Sequence, residues 1–229
     1  LQELHALGVE NIITFDAHDP RVQNAIPNSG FDSIQPTYQF IKALFNNVPD
    51  LQVDSEHMMI ISPDEGAMGR AVYYSNVLGL DMGMFYKRRD YSRVVNGRNP
   101  IVAHEFLGKD VFIVDDMISS GESMLDVAKE LKKRKANRVF VAATFGLFTN
   151  GLKQFDEYYE QGLISKVLTT NVIYQTPDLL SRPYYINVDL SKYIALMIDK
   201  LNYDHSISEL LDPNAKIQNA LAYYRKYHK

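Results

Sequence analysis

The chain has no cysteine among its 229 residues. Disulfides and thiolate chemistry are therefore excluded, and the composition suits a reducing cytoplasm, the expected location. No apolar run approaches the roughly 20 residues that a membrane-spanning helix needs, so no membrane partner is expected. Neither sign of charge dominates: 24 Lys and Arg stand against 28 Asp and Glu, a net charge of −4. Such a chain has no global pull toward nucleic acid or anionic lipid. Nucleic acid is not an expected partner, and any affinity for phosphates must come from local sites. Internal repeats and low-complexity segments are also missing. What is present is ordinary for a globular protein, with 46% hydrophobic and 23% charged residues. The length suits one large α/β domain or two small ones.

Apolar runs alternate with amphipathic stretches. The runs at Asn11–Phe15, His57–Ser62, Met82–Tyr86, Val111–Val114, Arg138–Ala143, Val167–Thr170 and Tyr184–Val188 predict strands. Residues Pro36–Phe45, Gly66–Leu78, Glu122–Arg134, Leu152–Gln161, Ser191–Leu201 and Pro213–Lys229 predict helices. This alternation predicts an α/β fold with a mostly parallel sheet flanked by helices. Ligands of such sheets collect at the carboxyl ends of the strands. Leu1–Gly8 reads as the last turns of a helix, so the chain is expected to be the C-terminal part of a longer protein. Arg88–Gly108 stands apart, with Asn96-Gly97 between Val-containing pairs. Asn-Gly is a hairpin signal, and a projecting two-stranded flap is expected there.

Four polar clusters follow predicted strands. Asp115-Asp116 precedes Ser119, Ser120, Gly121, Glu122 and Ser123. Small residues opening a helix let backbone N–H groups approach a phosphate. The paired carboxylates suit ribose hydroxyls, or a magnesium ion through water; a plain capped turn would also use Asp and Ser. Ser62–Arg70 repeats the theme, with Asp64, Gly66, Ala67 and Arg70. Here Asp64 suits a metal or its waters, and Arg70 suits an oxyanion or plain solvent. Asp16-Ala17-His18-Asp19 places an Asp and a His two apart after a strand, which suits a shared divalent ion. Lys87-Arg88-Arg89 puts three cations directly after a strand. Clustered cations of this kind suit an anion facing them, although charge runs are more often simply solvated.

The stretch Asp115–Ser123 (DDMISSGES) resembles the ribose-phosphate motif of type I phosphoribosyltransferases and ribose-phosphate pyrophosphokinases. FDAHDPRVQ at 15–23, SPDEGAMGRA at 62–71, YKRR at 86–89, ATFGLFTNG at 143–151 and TTNVI at 169–173 are similar to the pyrophosphokinases in particular. The resemblance implies a type I phosphoribosyltransferase-like fold and transfer of a diphosphoryl group from ATP to ribose 5-phosphate, with Mg2+ as cofactor and a homo-oligomeric assembly. It implies that Lys87 and Arg89 stabilise the transferring group. Asp115, Asp116, Ser119, Ser120, Gly121, Glu122 and Ser123 would hold ribose 5-phosphate. Asp64, Gly66, Ala67 and Arg70 would form the diphosphate loop, and His18, Asp64 and Asp16 would place the metal. It also divides the chain into the end of a truncated N-terminal domain with the metal-site turn (1–34), a catalytic domain (35–212) and a helical extension (213–229).

Some positions depart from the family pattern. Serines stand where threonines are usual, Ala67 replaces a glycine, Phe145 replaces a histidine, and Glu122 puts a carboxylate beside a phosphate turn. A non-catalytic regulatory subunit and a phosphoribosyltransferase that consumes phosphoribosyl diphosphate are the alternative readings.

Overall fold

The computed structural model describes residues 1–88, 97–100 and 106–227. They form two compact units, Leu1–Pro36 and Thr37–Lys229. In the smaller unit a short helix α1 (Gln2–Ala6) precedes strand β1 (Asn11–Phe15), a 3-10 turn (Pro20–Ala25) and strand β2 (Gly30–Ile34). The strands pair in parallel, from Asn11 opposite Gly30 to Phe15 opposite Ile34.

The larger unit opens with helix α2 (Thr37–Asn47), strand β3 (Met58–Ser62), helix α3 (Met68–Leu78) and strand β4 (Asp81–Arg88). Strands β5 (Gly97–Pro100) and β6 (Asp110–Ile118), helix α4 (Glu122–Lys133) and strand β7 (Val139–Gly146) follow. Helix α5 (Lys153–Glu160), strand β8 (Lys166–Thr170), helix α6 (Pro177–Leu180) and strand β9 (Tyr185–Val188) continue the alternation. Helices α7 (Ser191–Asn202), α8 (Ser208–Leu211) and α9 (Asn214–Tyr227) come last. Among the described residues no helix is long and apolar enough to cross a membrane.

The sheet runs in the order β5-β4-β3-β6-β7-β8-β9. All pairs are parallel except β4 with β5. The sheet is therefore the mostly parallel, helix-flanked one expected. Its central strands are buried on both faces, which is why they read as unbroken apolar runs: every residue of Met58–Ser62 is buried. Helix α4 packs on them through Met124, Leu125, Val127, Ala128 and Leu131, a stripe of helical period.

The structure corrects two expectations. Asp115 and Asp116 do not sit in a turn after a strand that ends at Val114. Strand β6 continues through them and stays paired to β7 as far as Ile118 opposite Gly146. Gly97 is also not in a hairpin turn, because it lies within β5, opposite Arg88. Most of the expected flap, residues 89–96 and 101–105, lies outside the described residues.

The two ends of the central strands are built differently. At the amino-terminal edge, buried Asp110 takes three bonds from the Arg138 guanidinium, the shortest 2.6 Å, and the Asn137 amide donates to it at 2.9 Å. Arg138 also reaches Asp50 at 2.9 Å. Such charge-assisted forks are the strong class of hydrogen bond. Behind the sheet, α9 seals the loop that follows α2. The Tyr224 hydroxyl donates to the Val48 carbonyl and accepts the Leu51 N–H, while Arg225 caps the Val53 carbonyl at 2.6 Å. Phe45 stacks on Tyr224 with ring centroids 4.3 Å apart.

Candidate functional site

Chain order and sheet order diverge at one place. The chain passes from β3 outward to β4 and the edge strand β5, then returns across β4 and β3 to β6 and continues through β7, β8 and β9. The winding direction reverses between β3 and β6, and open α/β sheets keep their ligand crevice at such a switch point. The turn after β3 and the end of β6 are the two richest polar clusters of the sequence. Parallel register, Ile61 opposite Ile113, brings them side by side.

The turn after β3 is held by its own polar groups. The buried Ser62 hydroxyl donates to the Asp64 carbonyl at 2.6 Å, and the Ala67 N–H donates to the Asp64 carboxylate at 3.2 Å. Asp64 thus braces the turn that leads into α3, whose N-cap is Ala67. Ala67 is buried. Arg70, on the first turn of α3, directs its guanidinium at Asp115, 3.6 Å away.

At the end of β6, Asp115 is half-buried and Asp116 buried. The Asp116 N–H donates to the Asp115 carboxylate at 2.9 Å. Burial pushes the Asp115 carboxyl up to about 8, helped by its hydrogen bond to the Asp116 side chain and by the charges of Asp116 and Asp64. Opposing this, its own bond from the Asp116 N–H favours the ionised form. A central strand that carries adjacent acids costs folding energy, and such costs concentrate at functional sites.

The Ser119–Ser123 turn begins helix α4. Gly121 is its N-cap, with φ +87, and is buried. A side chain there would place its Cβ 2.3 Å from the Phe155 ring. Phe155 of α5 thus forms the floor of the turn. The loop after β7 ties it from the other side: the Thr149 N–H donates to the Ser119 carbonyl at 3.0 Å, and the Leu147 N–H to the Ile118 carbonyl at 2.8 Å. Ser119, Glu122 and Ser123 are exposed and Ser120 partly so. Glu122 is the first residue of α4, where a carboxylate is favourable to the helix dipole. Phe145 sits beside Met117 in the β6–β7 register and presents an apolar side chain there.

The other expected site residues are distributed as follows. Lys87 lies in β4 opposite Arg98. Because Met84 pairs with Ser62, Lys87 is three residues past the end of β3, on the same sheet edge as Asp64. Arg89 lies outside the described residues. Asp16 and His18 belong to the smaller unit. Asp16 is buried at the end of β1 with φ +42, a region that non-glycine residues seldom occupy. His18 is exposed. Asp19 is committed to Arg21: it accepts the Arg21 N–H at 2.9 Å and a fork of guanidinium bonds, which hold its carboxyl down at about 2. Among the described residues no three His, Cys, Asp or Glu side chains converge as a metal cage. Magnesium does not require one, since it commonly takes one or two carboxylates and completes its shell with water and substrate phosphates. The oxygen donors of Asp64, Asp115 and Asp116 fit that chemistry.

Two features of the site carry no signal in the sequence. One is the Arg70–Asp115 pair, whose members lie far apart in the chain. The other is the support behind β8, where the Thr169 and Tyr185 hydroxyls meet at 2.6 Å and the Thr170 hydroxyl donates to the Thr144 carbonyl at 2.6 Å.

Residues 28–182 match the family model described as the phosphoribosyl transferase domain. Curated relatives include a ribose-phosphate pyrophosphokinase of Ureaplasma parvum, 29% identical over 76% of this chain and 51% of the relative. One of Mycoplasma genitalium is 33% identical over 73% of this chain and 48% of its own. One of Vibrio parahaemolyticus is 28% identical over 91% and 63% respectively. The chain thus spans roughly half to two thirds of the length of these relatives. The crystal structure of phosphoribosylpyrophosphate synthetase from Mycobacterium smegmatis has the same fold, with a TM-score of 0.73 at 20% identity over 89% of this chain and 62% of that one. The family match covers well over half of the residues, and the chain belongs to the phosphoribosyl transferase domain family.

Proposed function

We propose that the chain carries the ribose-phosphate and diphosphate sites of a ribose-phosphate pyrophosphokinase acting in the cytoplasm as a homo-oligomer. In that reaction the C1 hydroxyl of ribose 5-phosphate attacks the β-phosphorus of ATP. The bond between β-phosphorus and the α–β bridging oxygen breaks, and AMP leaves with that oxygen. The observation that carries the reading is the meeting of Asp64, Asp115 and the Ser/Gly-rich start of α4 at the switch point between β3 and β6.

In this reading, backbone N–H groups of Ser120–Ser123 hold the 5-phosphate at the start of α4. Asp115 and Asp116 accept hydrogen bonds from the ribose hydroxyls. The turn Asp64–Arg70 lies along the diphosphate, with backbone rather than bulky side chains beside it. Lys87 and Arg89 offset the charge on the transferring group. Bound Mg2+, held through Asp64, would neutralise phosphate oxygens and lower the cost of bringing two anions together.

The test is AMP formation when the complete gene product is given ATP, Mg2+ and ribose 5-phosphate. Steady AMP release dependent on ribose 5-phosphate is expected. Ribose 5-phosphate binding without AMP would favour the regulatory-subunit reading, which Glu122 supports. Release of pyrophosphate from phosphoribosyl diphosphate and a nucleobase would favour the transferase reading.

Glu122 gives a second test. Its carboxylate stabilises the N-terminus of α4 but repels an incoming phosphate. Glu122→Thr should tighten ribose 5-phosphate binding several-fold and cost roughly 0.3–1 kcal/mol of stability. Titration calorimetry and a thermal melt read the two effects, and weaker binding by the threonine variant would remove Glu122 from the phosphate's neighbourhood.

A further inference from the structure

We infer that Arg70 is a positioning residue for Asp115, joining the diphosphate turn to the ribose site. The inference rests on the ribose-phosphate reading above. Arg70 follows the turn after β3 and Asp115 belongs to β6, so the pair crosses the switch point. The two side chains are only 9% and 17% exposed, which keeps their attraction from being screened as a surface pair would be.

Two things separate this pair from a structural lock. The first is its length. At 3.6 Å it is an ion pair too long for a hydrogen bond. On the same strand, Arg138 grips Asp110 with directional bonds as short as 2.6 Å. Strand β6 thus carries a closed arginine–carboxylate pair at its amino-terminal end and an open one at the ligand end. The second is the company Asp115 keeps. Asp116 and Asp64 bring negative charge to it, and the cation that faces it across the switch point is Arg70 of α3. An arginine that attracts Asp115 without a hydrogen bond leaves it the lone pairs that Asp116 does not take, and these can be directed at sugar hydroxyls. Arg70 therefore acts on the affinity for the sugar through Asp115, not through contact with it.

The experiment is a double-mutant cycle on ribose 5-phosphate binding by titration calorimetry, with the full chain. Arg70→Gln should weaken binding roughly tenfold, within the range of coupling between contacting residues. Arg70→Lys, which keeps the charge, should recover most of the loss. In the Asp115→Asn background, Arg70→Gln should cost less than about twofold, because its target is gone. A tenfold loss in both backgrounds, or no loss in either, overturns the inference while leaving the ribose site intact. A wild-type chain that does not bind ribose 5-phosphate sinks the site itself and the inference with it. If Arg70→Gln does not fold, Arg70→Met, which keeps an unbranched apolar stem and removes the charge, completes the same cycle. A loss of affinity that vanishes in the Asp115→Asn background then supports the role, and an equal loss in both backgrounds overturns it.

Discussion

Replacing Lys87 by alanine is expected to lower turnover by about 10²–10³-fold, the usual cost of removing a donor aimed at transition-state charge, while ribose 5-phosphate binds nearly as before. The position carries the expectation. Lys87 is three residues beyond the β4 residue paired to Ser62, so its backbone runs along the edge where Asp64 begins the diphosphate turn. The carboxylates proposed to hold the ribose lie on β6, on the other side of β3. A cation placed there meets the phosphates before the sugar. An effect on kcat without one on affinity identifies an interaction made only as the reaction proceeds. Rates of AMP formation and calorimetric affinities for ribose 5-phosphate, measured on the complete gene product, decide it. Weakened binding with unchanged turnover would assign Lys87 to substrate capture instead.

Gly121→Ala should be the most damaging single-methyl change in the ribose turn. The residue has φ +87, where a side chain costs roughly 1–2 kcal/mol. Its new Cβ would lie 2.3 Å from Cζ and 2.6 Å from Cε2 of Phe155, a ring that is fully buried. Overpacking of this kind costs about 1–3 kcal/mol more. A total of about 3 kcal/mol corresponds to a fall in Tm of roughly 6–12 °C for a domain of this size. The turn should also lose ribose 5-phosphate, since the N–H groups of α4 move with it. Thermal melts of Gly121→Ala, Phe155→Ala and the double variant separate the two costs. If the ring is the obstacle, the glycine substitution is milder once Phe155 is cut back. A Tm within a degree or two of wild type would show that the turn relaxes freely.

The parts of the fold legible in the sequence are those where one force dominates. Met58–Ser62 and Val111–Val114 are apolar without interruption because both faces of those strands are covered. The α4 stripe is legible because one face of a helix meets the sheet. Strand β2 is not legible, since Gly30–Ile34 is mostly exposed and offers no hydrophobic pattern. Helix α6 is four residues set by the Thr176 cap and Pro177, too short for periodicity. The extent of β6 misleads for an instructive reason. Adjacent aspartates look like a strand's end, because acids in a central strand are costly. Here the strand keeps them, and the cost appears as the raised Asp115 carboxyl. The polar clusters of the site are readable one by one from composition. Their adjacency is not, because Arg70 meets Asp115 only through the crossover that puts β6 beside β3.

The α9 seal has a kinetic consequence. The bonds from Tyr224 and Arg225 to Leu51, Val48 and Val53 close chain separations of 173, 176 and 172 residues. Closing a loop that long forfeits chain entropy before any contact repays it. Contacts of such high order slow folding. Docking of the loop after α2 is therefore expected to come late, its backbone carbonyls and amide staying in water until α9 arrives. The earlier strands must be able to pair without it.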